Sequence, residues 1–306
     1  MSAPPPPGVQ RNHPLARLTT IRTGGSAEFF ARPATVAELE ALLAWAAAQS
    51  LAVSVVGSGS NLLIADAGVR GLVLKLDGAL ASIERAGEEL VCGGGARLPK
   101  VAAVAADAGL SGLEFGVSIP GTVGGAVRMN ANAYGGALAE TLAWVEVTTA
   151  EGTACRTVEA LEFAYRRSNL RSGEVVARAS FRLRPDDPRS VRAALADLRA
   201  RRREAQPGGI KTFGSTFKNP DDPRAEGRTA GQLLDAAGCR GLRIGDAAFS
   251  AKHANFVENR GEATTAEVIE LMAEGRRRVQ ERFGVVLEPE VQALGPVRFP
   301  EEWGCP

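Results

Sequence analysis

The sequence predicts an α+β protein of roughly two domains, with one elaborate domain as the alternative, and three observations carry that reading. A helix marked by its own capping residues runs straight into a buried strand and a glycine loop. Apolar and polar residues alternate through 141–184, as antiparallel strands require. A further well-marked helix lies beyond a "QPGG" break at 206–209. A chain of 306 residues has room for roughly two ordinary domains.

Taken in order, "MSAPPPPGVQ" has neither a basic start nor an apolar core, so it is no signal peptide, and residues 1–14 read as a disordered proline-rich tail. "TTIRTGGSAEFFARP" (19–33) reads as strand, Gly24-Gly25 turn, strand. Thr35 and Glu38 form a capping box, and Leu39, Leu42, Leu43 and Ala46 share one helical face. Residues 51–76 give a buried strand, the loop "GSGSN" and further extended segments. Residues 90–115 give a strand, a glycine turn and an alanine-rich helix ending near Gly109, while 116–136 are too rich in glycine and asparagine for a regular element. Helices are expected at 190–205, at "TAGQLLDAAG" (229–238) and from Thr264. The last is capped by Thr264 and Glu267 and shows a face of Val268, Leu271, Met272 and Val279. "FGVVLEPEVQALG" reads as a strand carrying two carboxylates.

Composition excludes several function classes. Lys+Arg 36 against Asp+Glu 35 creates no long-range field for a polyanion, so no nucleic-acid role is expected. The runs "RARRR" (199–203) and "RRR" (276–278) read as solvated helix faces. Cys92, Cys155, Cys239 and Cys305 are widely separated, which argues against zinc and against a disulfide framework and fits a reducing cytoplasm. Two histidines, His13 and His253, make a histidine-rich metal site improbable, and no metal is expected. No apolar run approaches the ~20 residues of a membrane span.

Several motifs bear chemistry. "GSGSN" (57–61) is either a tight turn or a phosphate loop. It is no dinucleotide fingerprint, since Leu62 stands where the third glycine belongs. In "SIPGTVGGAVRMNANAYGG" (118–136), Gly121, Gly124 and Gly125 bare the backbone, and Asn130 and Asn132 add polar contacts. Two such segments about 60 residues apart, each beside an apolar strand, point to one long phosphate-bearing ligand. "FAYRRSN" (163–169) offers Arg166 for a carboxylate or phosphate, or else a surface strand with snorkelling arginines. Glu288 and Glu290 of "LEPEV" lie on one side by period-two geometry, suited to acid chemistry or simply facing solvent. His253 in "SAKHANFVEN" reads as a hydrogen-bonded structural group. Ser215 of "GIKTFGSTFKNP" is a serine without a neighbouring histidine, so it either donates a proton or closes a turn.

In their joint order, "GSGSNLL", "IPGTVGGAV", "MNA", "AYG", "YR-S", "GSTFKNP", "AGQLLDAAG", "KHANF" and "FGVVLEPEV" resemble the UDP-N-acetylenolpyruvoylglucosamine reductases of bacterial peptidoglycan synthesis, the MurB family. The resemblance implies a vanillyl-alcohol-oxidase-type FAD-binding fold of two subdomains plus a third α+β substrate-binding subdomain. Residues 15–78, completed by 286–306, would form the first FAD-binding subdomain, 79–204 the second, and 205–285 the substrate-binding subdomain. It implies an NADPH-dependent flavoenzyme of cell-wall synthesis acting on UDP-N-acetylglucosamine enolpyruvate, and a cytoplasmic location and a monomer are expected beside it. NADPH reduces FAD, and the substrate then takes a hydride from flavin N5 and a proton at the neighbouring carbon.

Carried over by motif, Ser215 is the proton donor, and Arg166 and Glu290 hold and polarise the substrate carboxylate. The flavin would lie along Gly57, Ser58, Gly59, Ser60 and Asn61, and along Pro120, Gly121, Thr122, Gly124, Gly125, Ala126, Asn130 and Ala131. It would be non-covalent, since neither loop has His or Cys. Tyr134, Lys218, Asn219 and His253 would hold the substrate. The chain departs from the family where Asn132 replaces the glycine of M-N-A-G-A, and where Ser58 stands in place of a frequent glycine. With no tyrosine after Tyr165, it resembles the shorter class that lacks a tyrosine-bearing loop over the nucleotide. The rival readings are an FAD-dependent oxidase of small alcohols and a non-catalytic nucleotide-sugar sensor.

Overall fold

A computed structural model describes residues 4–297, 299, 300 and 303. The part of the expected tail at 1–3, and residues 298, 301, 302 and 304–306 of the expected C-terminal completion, lie outside the described residues. The chain forms two compact units. The first comprises the chain up to Asn12 with Glu28–Ser58 and Arg70–Arg202, and the second comprises His13–Ala27, Gly59–Val69 and the chain from Arg203 onward. No helix among the described residues is long and apolar enough to cross a membrane.

The first unit holds two sheets. One has the order Gln10–Pro14, Ser26–Ala31, Val69–Leu74, Val53–Val55, with the last two parallel. Between Ser26–Ala31 and Val53–Val55 runs α1 (Val36–Ala48). Thr35 caps it by accepting from the Glu38 N–H, and the Glu38 carboxylate reaches back to the Ala34 N–H at 2.7 Å. Leu39, Leu42, Leu43 and Ala46 face inward as the periodicity predicts, joined by Trp45, whose ring meets Phe29 edge-on at 5.2 Å. The second sheet is antiparallel throughout, in the order Gly152–Thr157, Leu142–Thr149, Val175–Arg182, Glu89–Gly93, Ile83–Ala86. It is covered by α2 (Leu98–Asp107) and α3 (Val123–Arg128), whose buried residues share one core with Val145, Ala179 and Phe181. Then α4 (Pro188–Ala205) packs Val191 and Leu195 on Ala102 and Ala106 and leaves Arg199, Arg201 and Arg203 in solvent.

The second unit has a sheet in the order Lys211–Ser215, Phe256–Asn259, Ala247–Phe249, Arg243–Ile244, with α5 (Ala230–Ala236) and α6 (Thr265–Phe283) packed on it. Both helices start in capping boxes, Thr229 with Gln232 and Thr264 with Glu267. The last ends at Gly284, whose left-handed φ of 68° stops it. Gln292–Leu294 pairs in parallel with Leu62–Ile64. Cys92 and Cys239 are buried, and burial pushes their thiols up to about 12 and about 11, so both act as small hydrophobes.

Five expectations need correction. The tail is shorter than 14 residues, because Gln10–Pro14 is an edge strand. Residues 19–25 are not a strand. Thr19 Oγ1 turns back on the Ala16 carbonyl and accepts from the Arg22 N–H, offering the backbone local partners instead of a ladder. Residues 116–136 are more regular than their composition allows, with α3 followed by a hairpin whose two central residues, Tyr134 and Gly135, have φ of 51° and 86°. "LEPEV" is not a strand but a segment with a single bridge, Pro289 to Phe217, whose two bonds run from Lys218 N–H to Glu288 O and from Glu290 N–H to Thr216 O. Arg276 is not on a solvated face. It is 6% exposed, donates to the Leu287 carbonyl at 3.0 Å and lies over Trp303.

Candidate active site

In the first unit, glycines bare the backbone along one cleft. Its walls are Gly57, Gly94, Gly95, Thr122, Gly124 and Gly125, with Lys75, Arg128 and Glu174 around them and a cavity volume of about 90 Å³. A Cβ on Gly57 would stand 2.5 Å from Thr122 Oγ1, and one on Gly124 would stand 3.1 Å from the Gly94 carbonyl. Gly121 and Gly125 differ: a Cβ there would find its nearest protein atoms at 3.7 and 3.6 Å. The chain's own packing therefore does not demand glycine at 121 or 125, whereas a ligand lying against bare backbone would.

Charge surrounds this cleft. Lys75 donates to the Gly57 carbonyl at 2.6 Å. Burial holds its ammonium below the usual value, aided by Arg32 and Arg97 and opposed by Asp77. Glu174 is gripped by both terminal nitrogens of Arg156, and that hydrogen bonding keeps its carboxyl below the usual range against burial. Arg128 bonds the carbonyls of Leu170, Arg171 and Glu174, closing the loop beside the cleft. Sequence reasoning did not single out Lys75, Gly94, Gly95 or Glu174. The run "CGGG" was the available signal for the glycines, and Lys75 gave none.

The predicted flavin residues separate in the structure. Ala126 and Ala131 are core residues and offer only their backbone. Asn130, at φ 40°, donates to the Ala164 carbonyl at 3.2 Å, while its buried Oδ1 has no hydrogen-bond partner. Gly59, Ser60 and Asn61 belong to the second unit. There the Gly59 carbonyl accepts from the Thr20 amide and hydroxyl, and Asn61 donates to the Glu290 carbonyl at 3.2 Å. Arg166 sits at φ 56° in a two-residue turn closed by Ala164 and Arg167. Its Nη1 donates to Asn132 Oδ1 at 2.9 Å, and its guanidinium lies 5.0 Å above the Tyr165 ring.

In the second unit, Ser215 ends its strand opposite Phe256, after a register shift and Gly214 at φ 82°. This is a bulge, the device that re-aims a side chain at a sheet edge. Behind the serine the backbone is tightly held. Thr216 N–H donates to the Asn255 carbonyl, and Glu290 N–H donates to Thr216 O. The Asn255 side chain accepts from Phe217 N–H at 2.9 Å and donates to Phe217 O at 2.8 Å. Lys218 N–H donates to Glu288 O, and Lys218 Nζ pairs with the exposed Glu288 carboxylate at 3.1 Å. Asn219 caps α5 by accepting from Ala230 N–H at 3.1 Å. His253 accepts from Asn255 N–H at Nδ1 and leaves no room for a Cβ on Gly231. Burial first, then Arg240, lowers the affinity of its imidazole for a proton. The sequence reading passed over Asn255, whose "KHANF" context was the one clue.

A model of an FAD binding domain matches residues 27–157. A model of the UDP-N-acetylenolpyruvoylglucosamine reductase C-terminal domain matches residues 206–294. A UDP-N-acetylenolpyruvoylglucosamine reductase of Anaeromyxobacter sp. (strain Fw109-5) is 44% identical over 288 residues, covering 94% of this chain and 89% of the relative. The chain belongs to the UDP-N-acetylenolpyruvoylglucosamine reductase family. A second member, from Symbiobacterium thermophilum, is 43% identical over 95% of this chain and 93% of its own. The crystal structure of UDP-N-acetylenolpyruvylglucosamine reductase (MurB) from Thermus caldophilus superposes with a TM-score of 0.81 at 37% identity, covering 94% of this chain and 98% of that one. The α+β reading with an FAD-binding domain is borne out by these matches.

The cleft fits the cofactor that this reductase family's FAD-binding domain calls for. Gly125 keeps the cleft's backbone bare where the protein itself does not need it, and Lys75 and Arg128 would offer positive charge to a pyrophosphate.

Proposed function

We propose that this chain reduces UDP-N-acetylglucosamine enolpyruvate to UDP-N-acetylmuramate, with non-covalent FAD as cofactor and NADPH as reductant. The observation that carries the reading is 44% identity to a named reductase across 94% of the chain. When bound and reduced, FAD supplies the hydride accepted by the vinyl carbon of the substrate.

The chain's own residues manage the resulting charge and proton. Hydride addition loads electron density onto the carbon that bears the carboxylate, and donors fixed in advance favour that step. Arg166 holds the carboxylate with its planar fork. Glu290 assists in its protonated form, since an ionised carboxylate would repel the incoming charge. Ser215 delivers the proton. A hydroxyl is a weak acid, and the clamped backbone at 216–218 supports the role by fixing where it can give its proton. Glu290 is preferred over Glu288 because Glu288 is exposed and paired with Lys218, while the Glu290 backbone is bonded to Thr216 beside Ser215.

In this reading Gly57, Thr122, Gly124 and Gly125 meet the FAD phosphates, with Ser58, Gly59, Ser60, Asn61, Pro120, Gly121 and Asn130 along the rest of the cofactor. Ala126 and Ala131 contribute backbone alone. Tyr134, Lys218, Asn219 and His253 hold the sugar nucleotide, Lys218 and Asn219 exchanging their present partners to do so. The enzyme works as a monomer in the cytoplasm. The test is a product assay: NADPH consumed and UDP-N-acetylmuramate formed one for one. NADPH oxidation with no muramate product would defeat the proposal, and oxygen uptake driven by small alcohols would favour an oxidase.

A further inference from the structure

Three polar side chains at alternate positions, starting from the last residue of α3, hold the loop that carries Arg166. Arg128 bonds the carbonyls of Leu170, Arg171 and Glu174 at 3.1, 3.2 and 2.9 Å. Asn130 donates to the carbonyl of Ala164, the first residue of the turn. Asn132 accepts from Nη1 of Arg166 at 2.9 Å. The first two grip backbone, and the third grips the arginine itself. A guanidinium has donors alone, so Asn132 must present its oxygen, and the pairing fixes the amide as well as the arginine.

The turn is built to hold Arg166 in an unfavourable backbone state. Ala164 and Arg167 exchange hydrogen bonds at 3.0 and 3.2 Å across Tyr165 and Arg166. Arg166, at φ 56°, occupies the third turn position, which glycine or asparagine usually fills. Such strain persists where the surroundings over-determine it, and it clusters at functional groups. Backbone ties from Asn130 fix the turn but not the long side chain beyond it. The Tyr165 ring and the Asn132 oxygen restrain the guanidinium.

We propose that Asn132 is a positioning residue for Arg166. By taking an Nη1 hydrogen it fixes the plane of the fork that meets the substrate carboxylate. This rests on the role given to Arg166 above. It also accounts for the departure at this position, since the glycine of M-N-A-G-A has no acceptor to offer. The backbone here does not need glycine: Asn132 lies in the strand Asn132–Ala133, paired with Ala137, and positive φ falls at Asn130 and Tyr134.

The test follows the flavin absorbance of the holoenzyme through two half-reactions, reduction by NADPH and reoxidation by UDP-N-acetylglucosamine enolpyruvate. Asn132→Gly is expected to slow reoxidation about tenfold at saturating substrate, with reduction and melting temperature unchanged. Asn132→Asp keeps the acceptor oxygen and is expected to restore reoxidation to within about twofold of wild type. In an Arg166→Ala background, Asn132→Gly should cause no further loss. A wild-type rate for Asn132→Gly, with Arg166→Ala slow, overturns the positioning role alone. A wild-type rate for Arg166→Ala overturns the reading of Arg166 and the positioning role with it. Equal loss in both half-reactions, or a lowered melting temperature, makes Asn132 structural and overturns the proposal as well.

Discussion

Replacing Asn255 with alanine should damage both the stability of the second unit and the step that uses Ser215. Asn255 is 4% exposed and Phe217 is fully buried. The substitution strips partners from the Phe217 N–H and C=O together. Each buried backbone group left unpaired costs about 1–3 kcal/mol, so the pair costs roughly 2–6 kcal/mol. That is a large part of the 5–15 kcal/mol that a typical domain possesses. With m near 1–3 kcal/mol/M, the urea midpoint should fall by about 1 M or more. Hydrogen exchange at the Phe217 amide should rise, because its acceptor has gone. Asn255→Asp supplies the sign. It keeps the acceptor for Phe217 N–H but turns a carboxylate oxygen towards Phe217 O, which disfavours ionisation and raises the folded-state pKa above the unfolded ~3.9. Between the two values the folded form binds more protons, so this variant should gain stability as pH falls through its folded pKa towards ~3.9 and lose it as pH rises back through the folded pKa. An Asn255→Ala protein with an unchanged urea midpoint and an unchanged Phe217 amide would refute the clamp.

Other predictions concern the site directly. Ser215→Ala should leave bleaching by NADPH intact and slow reoxidation by substrate about 100-fold or more, measured by stopped flow. Lys75→Met removes a charged donor from Gly57 and the cleft, and should weaken FAD retention about tenfold or more, measured by release of flavin fluorescence. Burial lowers the His253 pKa from 6.5, so the unfolded chain takes up that proton more readily than the folded one. Stability should therefore fall as pH drops below about 6.5, and melting curves of His253→Gln should lose that share of the slope.

What was legible in the sequence was local. Thr35 with Glu38 and Thr264 with Glu267 marked their helices because capping partners sit three residues apart. The alternation through 141–184 fixed the antiparallel strands because side-chain period and burial coincide there. What escaped was made by contacts distant in sequence. Asn255 reaches Phe217 across 38 residues, Arg166 reaches Asn132 across 34, and Lys75 meets Gly57 across 18. "LEPEV" imitated a strand because its alternation was real, although its pairing stops at one bridge to Phe217. The roles of Arg166, Ser215 and Glu290 came from the order of motifs, since each residue alone had an equally good structural reading. The choice between Glu288 and Glu290 gained physical support once Lys218 was found on Glu288.

The central claim is that this chain passes hydride from NADPH to UDP-N-acetylglucosamine enolpyruvate by way of bound FAD. An anaerobic visible spectrum of the holoenzyme tests it in one cuvette, with NADPH added first and the enolpyruvyl sugar nucleotide second. The account predicts that the flavin band bleaches on the first addition and returns on the second, in proportion to the substrate supplied. A band that bleaches and stays bleached in the presence of excess substrate would contradict it.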